Sequence, residues 1–269
     1  MSTVLAAVDN SLASRPVLAA ARSLAVILGA RVEAIHVQVD GGRTAIETAA
    51  AAAVPLAIAT GEVVEALTLA GEREEVVALA IGARGTPSGR RPLGRAATAV
   101  ATASRKPVLI VPPHAVVAQP FGRVLVPLEG TLASSLAPGW IFHLVQDADV
   151  EAVVLHVHDE HGIPSFTDQP QHEQAAWARE FVCRYCAQGL PTAAVETRVG
   201  RPEEWVPAVA EEKGCDLIAL GWAQELEGGR AEVVRGTLER TRLPVLLVPV
   251  RVGPARLDSV RPLASSARV

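Results

Sequence analysis

Residues 2–22 read STVLAAVDNSLASRPVLAAAR, and a second opening of the same kind, GRVLVPLEGTLASSLAPGWI, occupies residues 122–141. Aligning the two places Asp9 over Glu129, 120 residues later. In each copy a short apolar run stops at the acidic residue and a helix-prone segment follows. This pattern predicts a buried parallel strand that ends at a carboxylate and leads into a helix.

Both openings also place a hydroxyl residue two positions after the acid. Ser11 in the first copy and Thr131 in the second are therefore predicted to be N-caps of the helices that follow. In open α/β sheets, ligands bind beyond the carboxyl ends of the strands. The carboxylate of Asp9 is thus predicted to face a binding site.

The two copies match again in the middle and at their ends. His36-Val37 corresponds to His156-Val157, and RKPVLIVP at 105–112 corresponds to RLPVLLVP at 242–249. The chain is therefore read as a tandem repeat of one domain type. We predict domains at residues 1–113 and 122–250, a linker at 114–121 and a flexible tail at 251–269.

Composition limits the classes of function. Hydrophobic residues make up 49 % and aromatic residues only 3 %, so a core of Ala, Val, Leu and Ile is expected. A net charge of −4 without a polybasic run gives no electrostatic signal for nucleic acid or a membrane surface. Residues 48–60, the most apolar window, are too few to span a bilayer, and the N-terminus lacks the basic start of a secretory signal. The expected location is the cytoplasm, with neither nucleic acid nor membrane as a partner.

Strand and helix signals alternate along each repeat. This alternation predicts right-handed βαβ units and an α/β fold of two domains, each a five-stranded parallel sheet flanked by helices. Predicted strands lie at 4–8, 31–38, 56–60, 76–81, 108–111, 124–128, 150–156, 194–199, 217–220 and 245–248. Predicted helices lie at 11–28, 43–53, 62–73, 95–104, 131–146, 173–188, 203–212 and 232–241.

A loop rich in glycine and arginine, GARGTPSGRRPLGR at residues 82–95, follows the fourth strand. Glycines let a backbone approach a ligand or adopt positive φ, and the N-terminus of a helix presents free N–H groups to an anion. The arginines of the loop would add positive charge. The loop therefore indicates phosphate binding, although a solvated surface turn has the same composition. It is neither a Walker loop nor the GxGxxG dinucleotide fingerprint.

Together, the opening VLAAVDNS, the His-Val end of the second strand, the Gly-x-x-Gly loop and the Pro-Val-Leu close resemble the universal stress protein family in its tandem form. The resemblance covers about residues 2–113 and 122–250. It implies Rossmann-like, adenine nucleotide alpha hydrolase-like domains whose closing strands pair across a pseudo-two-fold axis. One chain would then mimic the usual dimer. A homodimer of tandem chains and an unidentified protein partner are left open.

ATP-binding members of that family carry Gly-x-x-Gly, nine residues, then Gly-Ser/Thr. The resemblance implies that the first domain binds ATP, with Asp9 at the adenosine and Val37 near the adenine. Mg²⁺ is expected only as a companion of ATP. The loop residues implied at the phosphates are Gly82, Arg84, Gly85, Gly94 and Arg95. Here eight residues separate Gly85 from Gly94, and Arg95 stands where a hydroxyl residue is expected, so its guanidinium would have to supply that contact.

The second repeat departs further from the motif. Gln224 stands in place of the second glycine, and Glu225, Glu227 and Glu232 would repel a triphosphate. We therefore predict a degenerate second site, and any nucleotide should favour the first repeat. The residues of the degenerate site are Glu129, Gly221, Gly236 and Thr237.

Two further patterns have plainer explanations. The CxxC at 183–186 lies inside a predicted helix without a second CxxC, so ordinary helix residues are expected instead of a redox pair or a zinc site. His156, His158 and His161 could ligate a metal. However, His36 takes the place of His156 in the first repeat without such neighbours, which favours a role in the shared fold.

No pattern predicts catalysis. No serine lies in a G-x-S-x-G elbow and no carboxylate pair has acid–base spacing, so an enzyme is not expected, although slow ATP hydrolysis is left open. Two functions remain: a cytoplasmic stress-response sensor that binds an adenine nucleotide in its first domain, and a nucleotide-free scaffold for protein interactions. An electron-transfer or ligase-like enzyme is the least favoured.

Overall fold

The structure, a computed structural model, describes residues 1–38, 43–84, 93–128, 150–158, 194–224 and 229–250. The first half contains β1 (Thr3–Ala7), α1 (Ser14–Ile27), β2 (Arg31–Val37), α2 (Arg43–Ala51), β3 (Leu56–Ala59), α3 (Val63–Glu72), β4 (Val76–Gly82), α4 (Arg95–Ala103) and β5 (Val108–Val111). The second half contains β6 (Arg123–Pro127), β7 (Glu151–His158), β8 (Ala194–Val199), α5 (Pro202–Glu212), β9 (Leu217–Trp222), α6 (Gly229–Arg240) and β10 (Val245–Pro249). The helices predicted at 131–146 and 173–188, the CxxC at 183–186 and the tail at 251–269 lie outside the described residues.

The strands form one ten-stranded sheet with the order β3-β2-β1-β4-β5-β10-β9-β6-β7-β8. The second half repeats the strand order of the first, read from the opposite edge. Neighbouring strands are parallel within each half. At the centre β5 and β10 are antiparallel, with Ile110 opposite Val245 and Leu109 opposite Leu246. The predicted pairing of the closing strands is confirmed, and it joins the two predicted five-stranded sheets into one.

In the first half, α1 and α2 pack on one face of the sheet and α3 and α4 on the other, and in the second half the described helices α5 and α6 pack on the same face as α3 and α4. The central strands are buried on both sides, as their continuous apolar sequences predict. All four residues of β5, for example, are buried. Two layers of mainly Ala, Val, Leu and Ile side chains result, one on each face, and each layer contains residues from both halves. The structure thus confirms the expected α/β fold with a core poor in aromatic residues.

The segment predicted as a linker packs against the first half. The hydroxyl of Ser23 in α1 donates a hydrogen bond of 2.6 Å to the carbonyl oxygen of Ala118. Phe121 is only 1 % exposed and belongs to a core layer shared by both halves. This connection therefore contributes to the packing between the halves.

Candidate functional site

The predicted site residues of the first half meet at one edge of the sheet. Strands β1, β2 and β4 are adjacent and parallel, so Asp9, Val37 and Gly82, at or just beyond their carboxyl ends, lie along the same edge. Gly94 joins them because its N–H donates a hydrogen bond of 2.8 Å to the carbonyl oxygen of Ala83. This is the edge where open α/β sheets bind ligands.

The carboxylate of Asp9 is held by two serines. Its Oδ1 accepts hydrogen bonds from the N–H of Ser11 at 2.9 Å and from the hydroxyl of Ser11 at 2.6 Å. The hydroxyl of Ser14 also lies 2.9 Å from Oδ1. Within the described residues Oδ2 has no hydrogen-bond partner. The side chain is thus fixed in position with one oxygen available to a ligand hydroxyl or amine.

The same contacts correct the predicted helix start. Helix α1 begins at Ser14, its N-cap is Ala13, and no side chain caps it. Ser11 is not the N-cap because both its N–H and its hydroxyl are engaged by the Asp9 carboxylate. An ionised acceptor forms stronger hydrogen bonds than a neutral hydroxyl at a helix end. The acidic residue therefore determines the local turn, and the helix starts three residues later than predicted.

Helix α4 starts at Arg95, directly at this edge. Its N-cap, Gly94, offers no side-chain hydrogen bond, and its first turn contains no acidic residue. Arg95 is exposed and has no ion pair within the described residues. By contrast, the N-cap of α3, Glu62, accepts a hydrogen bond of 3.0 Å from the N–H of Glu65. A cation near a helix N-terminus opposes the helix dipole, so the start of α4 suits a bound anion.

The glycines of this edge are not required by backbone conformation. Gly94 has φ −69°, and Gly82 is not among the residues with positive φ. A Cβ on Gly82 would lie 3.5 Å from the oxygen of Arg84 and 3.6 Å from Val17. These are ordinary contact distances. Among the described residues, therefore, neither backbone conformation nor packing requires glycine at these two positions.

Of the remaining predicted residues of the first site, Val37 is 8 % exposed and packs mainly in the core. A ligand at this edge could touch only its rim. Arg84 follows β4 by two residues and is half-buried. Gly85 lies outside the described residues, as do Arg90 and Arg91.

The paired histidines have a structural role in both halves. The Nδ1 of His36 donates a hydrogen bond of 2.9 Å to the carbonyl oxygen of Val8, and Nδ1 of His156 makes the same contact with Leu128, also at 2.9 Å. The prediction that these histidines serve the shared fold is confirmed. Burial lowers the pKa of His156. Within the described residues no group of three or more His, Cys, Asp or Glu side chains could hold a metal, and His161 lies outside them.

In the second half, the residue at the second glycine position makes an unpredicted contact. Gln224 adopts φ +63°, the left-handed backbone that glycine favours. Its side-chain amide donates to the carbonyl oxygens of Thr102 at 3.0 Å and Ser104 at 2.5 Å. Both acceptors lie at the C-terminus of α4 in the first half. Gly221 is the penultimate residue of β9 and precedes this turn.

Gly236 and Thr237, predicted at the degenerate site, lie well inside α6. A Cβ on Gly236 would be 2.5 Å from Cβ of Glu203 in α5, and Thr237 is completely buried. The pair therefore serves helix packing. Helix α6 instead begins at Gly229, whereas α4 begins at Arg95 with Gly94 as its N-cap. The triplet Gly-Arg-Ala occurs at the start of both helices, at 94–96 and 229–231, and this repeat is the feature of the sequence that indicates where α6 begins. Glu129 lies outside the described residues.

A cavity lies elsewhere on the first half. It opens at the amino ends of β4 and β5, on the opposite edge of the sheet from Asp9 and Gly82. Its lining residues are Thr68, Gly71, Glu72, Ser104, Arg105 and Lys106. The Nζ of Lys106 donates to the carbonyl oxygen of Arg73 at 2.5 Å, and burial lowers the pKa of this lysine. This cavity is not part of the candidate site.

The fold and the edge site define an α/β protein of the Rossmann-like class. Residues 120–249 match the Universal stress protein family, so the second half of the chain contains a domain of this family. The fold is similar to that of a universal stress protein from Archaeoglobus fulgidus DSM 4304, at 20 % identity and TM-score 0.66, over 92 % of this chain and 96 % of that chain. It is also similar to a functionally unknown protein from Pseudomonas aeruginosa PAO1, at 12 % identity and TM-score 0.65, over 93 % of each chain.

No curated protein matches the chain significantly. Among the helices of the described ranges, none combines the length and apolar character needed to cross a membrane. The family membership predicted from the sequence motifs is confirmed.

Proposed function

We propose that this protein is a cytoplasmic stress-response sensor that binds ATP or a related adenine nucleotide in its first half. The observation that carries this proposal is the start of α4. This helix end has no side-chain cap and no acidic residue in its first turn, and it begins with the exposed Arg95. It lies at the same sheet edge as Asp9, so an anion and a sugar could be bound side by side.

In the proposed complex each group of the nucleotide meets a suitable partner. The phosphates would accept hydrogen bonds from the free N–H groups of α4 and from the guanidinium of Arg95. A ribose hydroxyl would donate to the unused Oδ2 of Asp9. The base would lie at the rim of β2 beside Val37. Gly82, Arg84, Gly85 and Gly94 would line the path of the phosphates, and Mg²⁺ would arrive only with ATP.

The protein would bind the nucleotide without hydrolysing it as its function. The residues of the edge are suited to hold charge and hydroxyl groups in place, and Asp9 is already committed to Ser11 and Ser14 through Oδ1. Slow hydrolysis by water at a bound triphosphate is compatible with such a site. A sensor of nucleotide level needs only that binding changes the surface or the stability of the protein.

A nucleotide-free scaffold is the second candidate. The observation that favours it is the same Asp9 network, because the bonds to Ser11 and Ser14 give this carboxylate a structural purpose without any ligand. The contact from Gln224 to α4 likewise uses the second loop to hold the two halves together. In this case the continuous ten-stranded sheet would serve as a rigid platform for a protein partner.

Titration calorimetry of nucleotide-stripped protein with ATP separates the two candidates. The decisive variant is Arg95→Glu, which reverses the charge at the start of α4. An acidic residue there favours the helix dipole, so the variant should be at least as stable as the wild type. It should nevertheless lose ATP affinity by roughly tenfold to a hundredfold, the value of one charge-assisted hydrogen bond.

Arg22→Glu is the matched control. Arg22 is exposed in α1 and has no ion pair within the described residues, so the same change of net charge there should leave ATP binding within about twofold, as for a surface substitution remote from a ligand. One ATP per chain, lost only in Arg95→Glu, would support the sensor. Absence of heat and of thermal stabilisation at millimolar ATP would leave the scaffold.

A further inference from the structure

Gln224 has an unfavourable backbone conformation, and its side-chain hydrogen bonds stabilise it. A non-glycine residue with φ +63° occupies a region that L-residues enter at an energetic penalty. Gln224 keeps this conformation and directs its amide nitrogen to two carbonyl oxygens, those of Thr102 and Ser104, at 3.0 and 2.5 Å. A strained residue with two long-range hydrogen bonds indicates that the surrounding structure determines its position.

The two acceptors are groups that a helix leaves unpaired. The last carbonyls of an α-helix have no partner inside the helix. Helix α4 ends at Ala103 with Ser104 as its C-cap, and its last turn contains no basic side chain. Gln224 therefore supplies a C-terminal cap to α4 from the other half of the molecule, 120 residues away along the chain.

Helix α4 connects this cap to the proposed phosphate site. Its nine residues span about 13 Å at 1.5 Å per residue, with Arg95 at one end and the Gln224 contact at the other. Along its length it packs through Ala97, Val100 and Ala101. These side chains are small, so packing alone holds α4 weakly along its axis. Hydrogen bonds at its two ends, from Gly94 to Ala83 and from Gln224 to Thr102 and Ser104, then fix its axial position.

We propose that Gln224 is a positioning residue that clamps the C-terminus of α4 and thereby sets the N-terminal end of this helix for anion binding. The loop that would hold phosphates in the second half is thus used to support the site of the first. The clamp follows from the contacts alone, whereas its effect on the ligand rests on the proposed nucleotide site.

Three variants test this proposal. Gln224→Glu keeps the size of the side chain, removes both donors and places negative charge at the negative end of the helix dipole. Gln224→Arg keeps donors and adds a charge that this helix end favours. Gln119→Glu, at an exposed position of the connecting segment, is the control for the charge change. Hydrogen exchange of peptides covering α4 and residues 104–106 reports the clamp, and titration calorimetry reports ATP binding.

In Gln224→Glu we expect exchange of α4 to be about threefold to tenfold faster and ATP to bind about threefold to tenfold more weakly, because both hydrogen bonds to the helix end are lost. Gln224→Arg and Gln119→Glu should both stay within about twofold of the wild type in both measurements. This order, with arginine tolerated and glutamate not, distinguishes a helix cap from a role of the loop in general.

Unchanged exchange of α4 in Gln224→Glu would overturn the clamp. Faster exchange with unchanged ATP affinity would overturn the positioning role. If the wild type does not bind ATP, the positioning role falls together with the proposed function, and the exchange measurement still decides the clamp. Equal effects of Gln224→Arg and Gln224→Glu would show that the side-chain donors are not what matters.

Discussion

The two halves use the loop after their fourth strand in different ways. In the first half, β4 leads to an uncapped helix start with an exposed arginine, and nothing within the described residues occupies it. In the second half, the turn after β9 keeps a left-handed backbone at Gln224 but sends the side chain to the other half. A side chain of the second half thus contacts the C-terminus of a helix whose N-terminus lies at the candidate site of the first half.

Two glycines of the two halves differ in the space around them. Gly82 has room for a methyl group, whereas Gly236 has none because Glu203 of the neighbouring helix lies against it. Among the described residues no contact requires the first glycine, whereas the second is needed by the fold. Substitutions that affect stability and substitutions that affect binding should therefore separate between the halves.

The largest expected effect tests whether the halves are one unit at all. Ile110 is fully buried at the β5–β10 junction, so Ile110→Ala should lower the free energy of unfolding by about 2–5 kcal/mol. Leu69→Ala, at a position of α3 that is 70 % exposed, should change it by less than about 0.5 kcal/mol. Urea unfolding measures both. A shift of one common transition would support a shared core, and a shift of only one of two transitions would contradict it.

The next largest expected effect is the difference in stability between alanine variants of Gly236 and Gly82. Gly236→Ala places a Cβ 2.5 Å from Cβ of Glu203, and this clash between two helices outweighs the gain in helix propensity. We expect a loss of about 1–3 kcal/mol in the free energy of unfolding. Gly82→Ala should stay within about 0.5 kcal/mol of the wild type. If both variants were equally stable in urea, the proposed difference between the two glycines would be wrong.

These contrasts also show what the sequence could and could not predict. The alternation of apolar runs and helix-prone segments predicted every described strand to within two residues, because buried parallel strands carry a strong local signal. The pairing of β5 with β10 came from the family resemblance. The edge position of Asp9, Val37 and Gly82 followed from the predicted parallel sheet, since carboxyl ends of parallel strands share an edge.

The remaining features depend on competition or on distance along the chain. Ser11 has the residue type of an N-cap, but Asp9 engages it first, and no local pattern ranks those two partners. Gly236-Thr237 matched a family motif more closely than Gly229-Arg230 did, although only the latter begins a helix. The contact of Gln224 joins residues 120 positions apart, beyond the reach of any sequence pattern.

A smaller effect tests whether Asp9 is positioned before any ligand arrives. The buried hydroxyl of Ser14 contacts Oδ1 of Asp9 and accepts a hydrogen bond of 2.9 Å from the N–H of Asp9. Ser14→Ala should lower the free energy of unfolding by about 1–2 kcal/mol because it leaves the N–H of Asp9 without this partner and removes one of the three hydrogen bonds to Oδ1. Ser11→Ala, at a less buried position, should cost about half as much. Thermal unfolding of the two variants checks this order, and the reverse order would show that Ser11 is the main support of the carboxylate.

The smallest expected effect is a pH dependence that belongs to the second half. Burial lowers the pKa of His156, and burial followed by the neighbouring His156 lowers that of His158. As the pH falls through about 6.5, these imidazoles take up protons in the unfolded chain before they do so in the folded one. The unfolded state then binds more protons, so the folded protein loses stability on acidification and gains none above neutral pH.

His156→Asn should reduce this loss, because the asparagine amide can still donate to the carbonyl of Leu128 but carries no titrating group. Urea unfolding between pH 5.5 and 8 gives the dependence for both proteins. The two curves should run parallel above about pH 7.5, where the imidazole is neutral in both states, and diverge below it. Parallel curves over the whole range would mean that His156 does not contribute, and the acid sensitivity would then have to be sought outside this histidine.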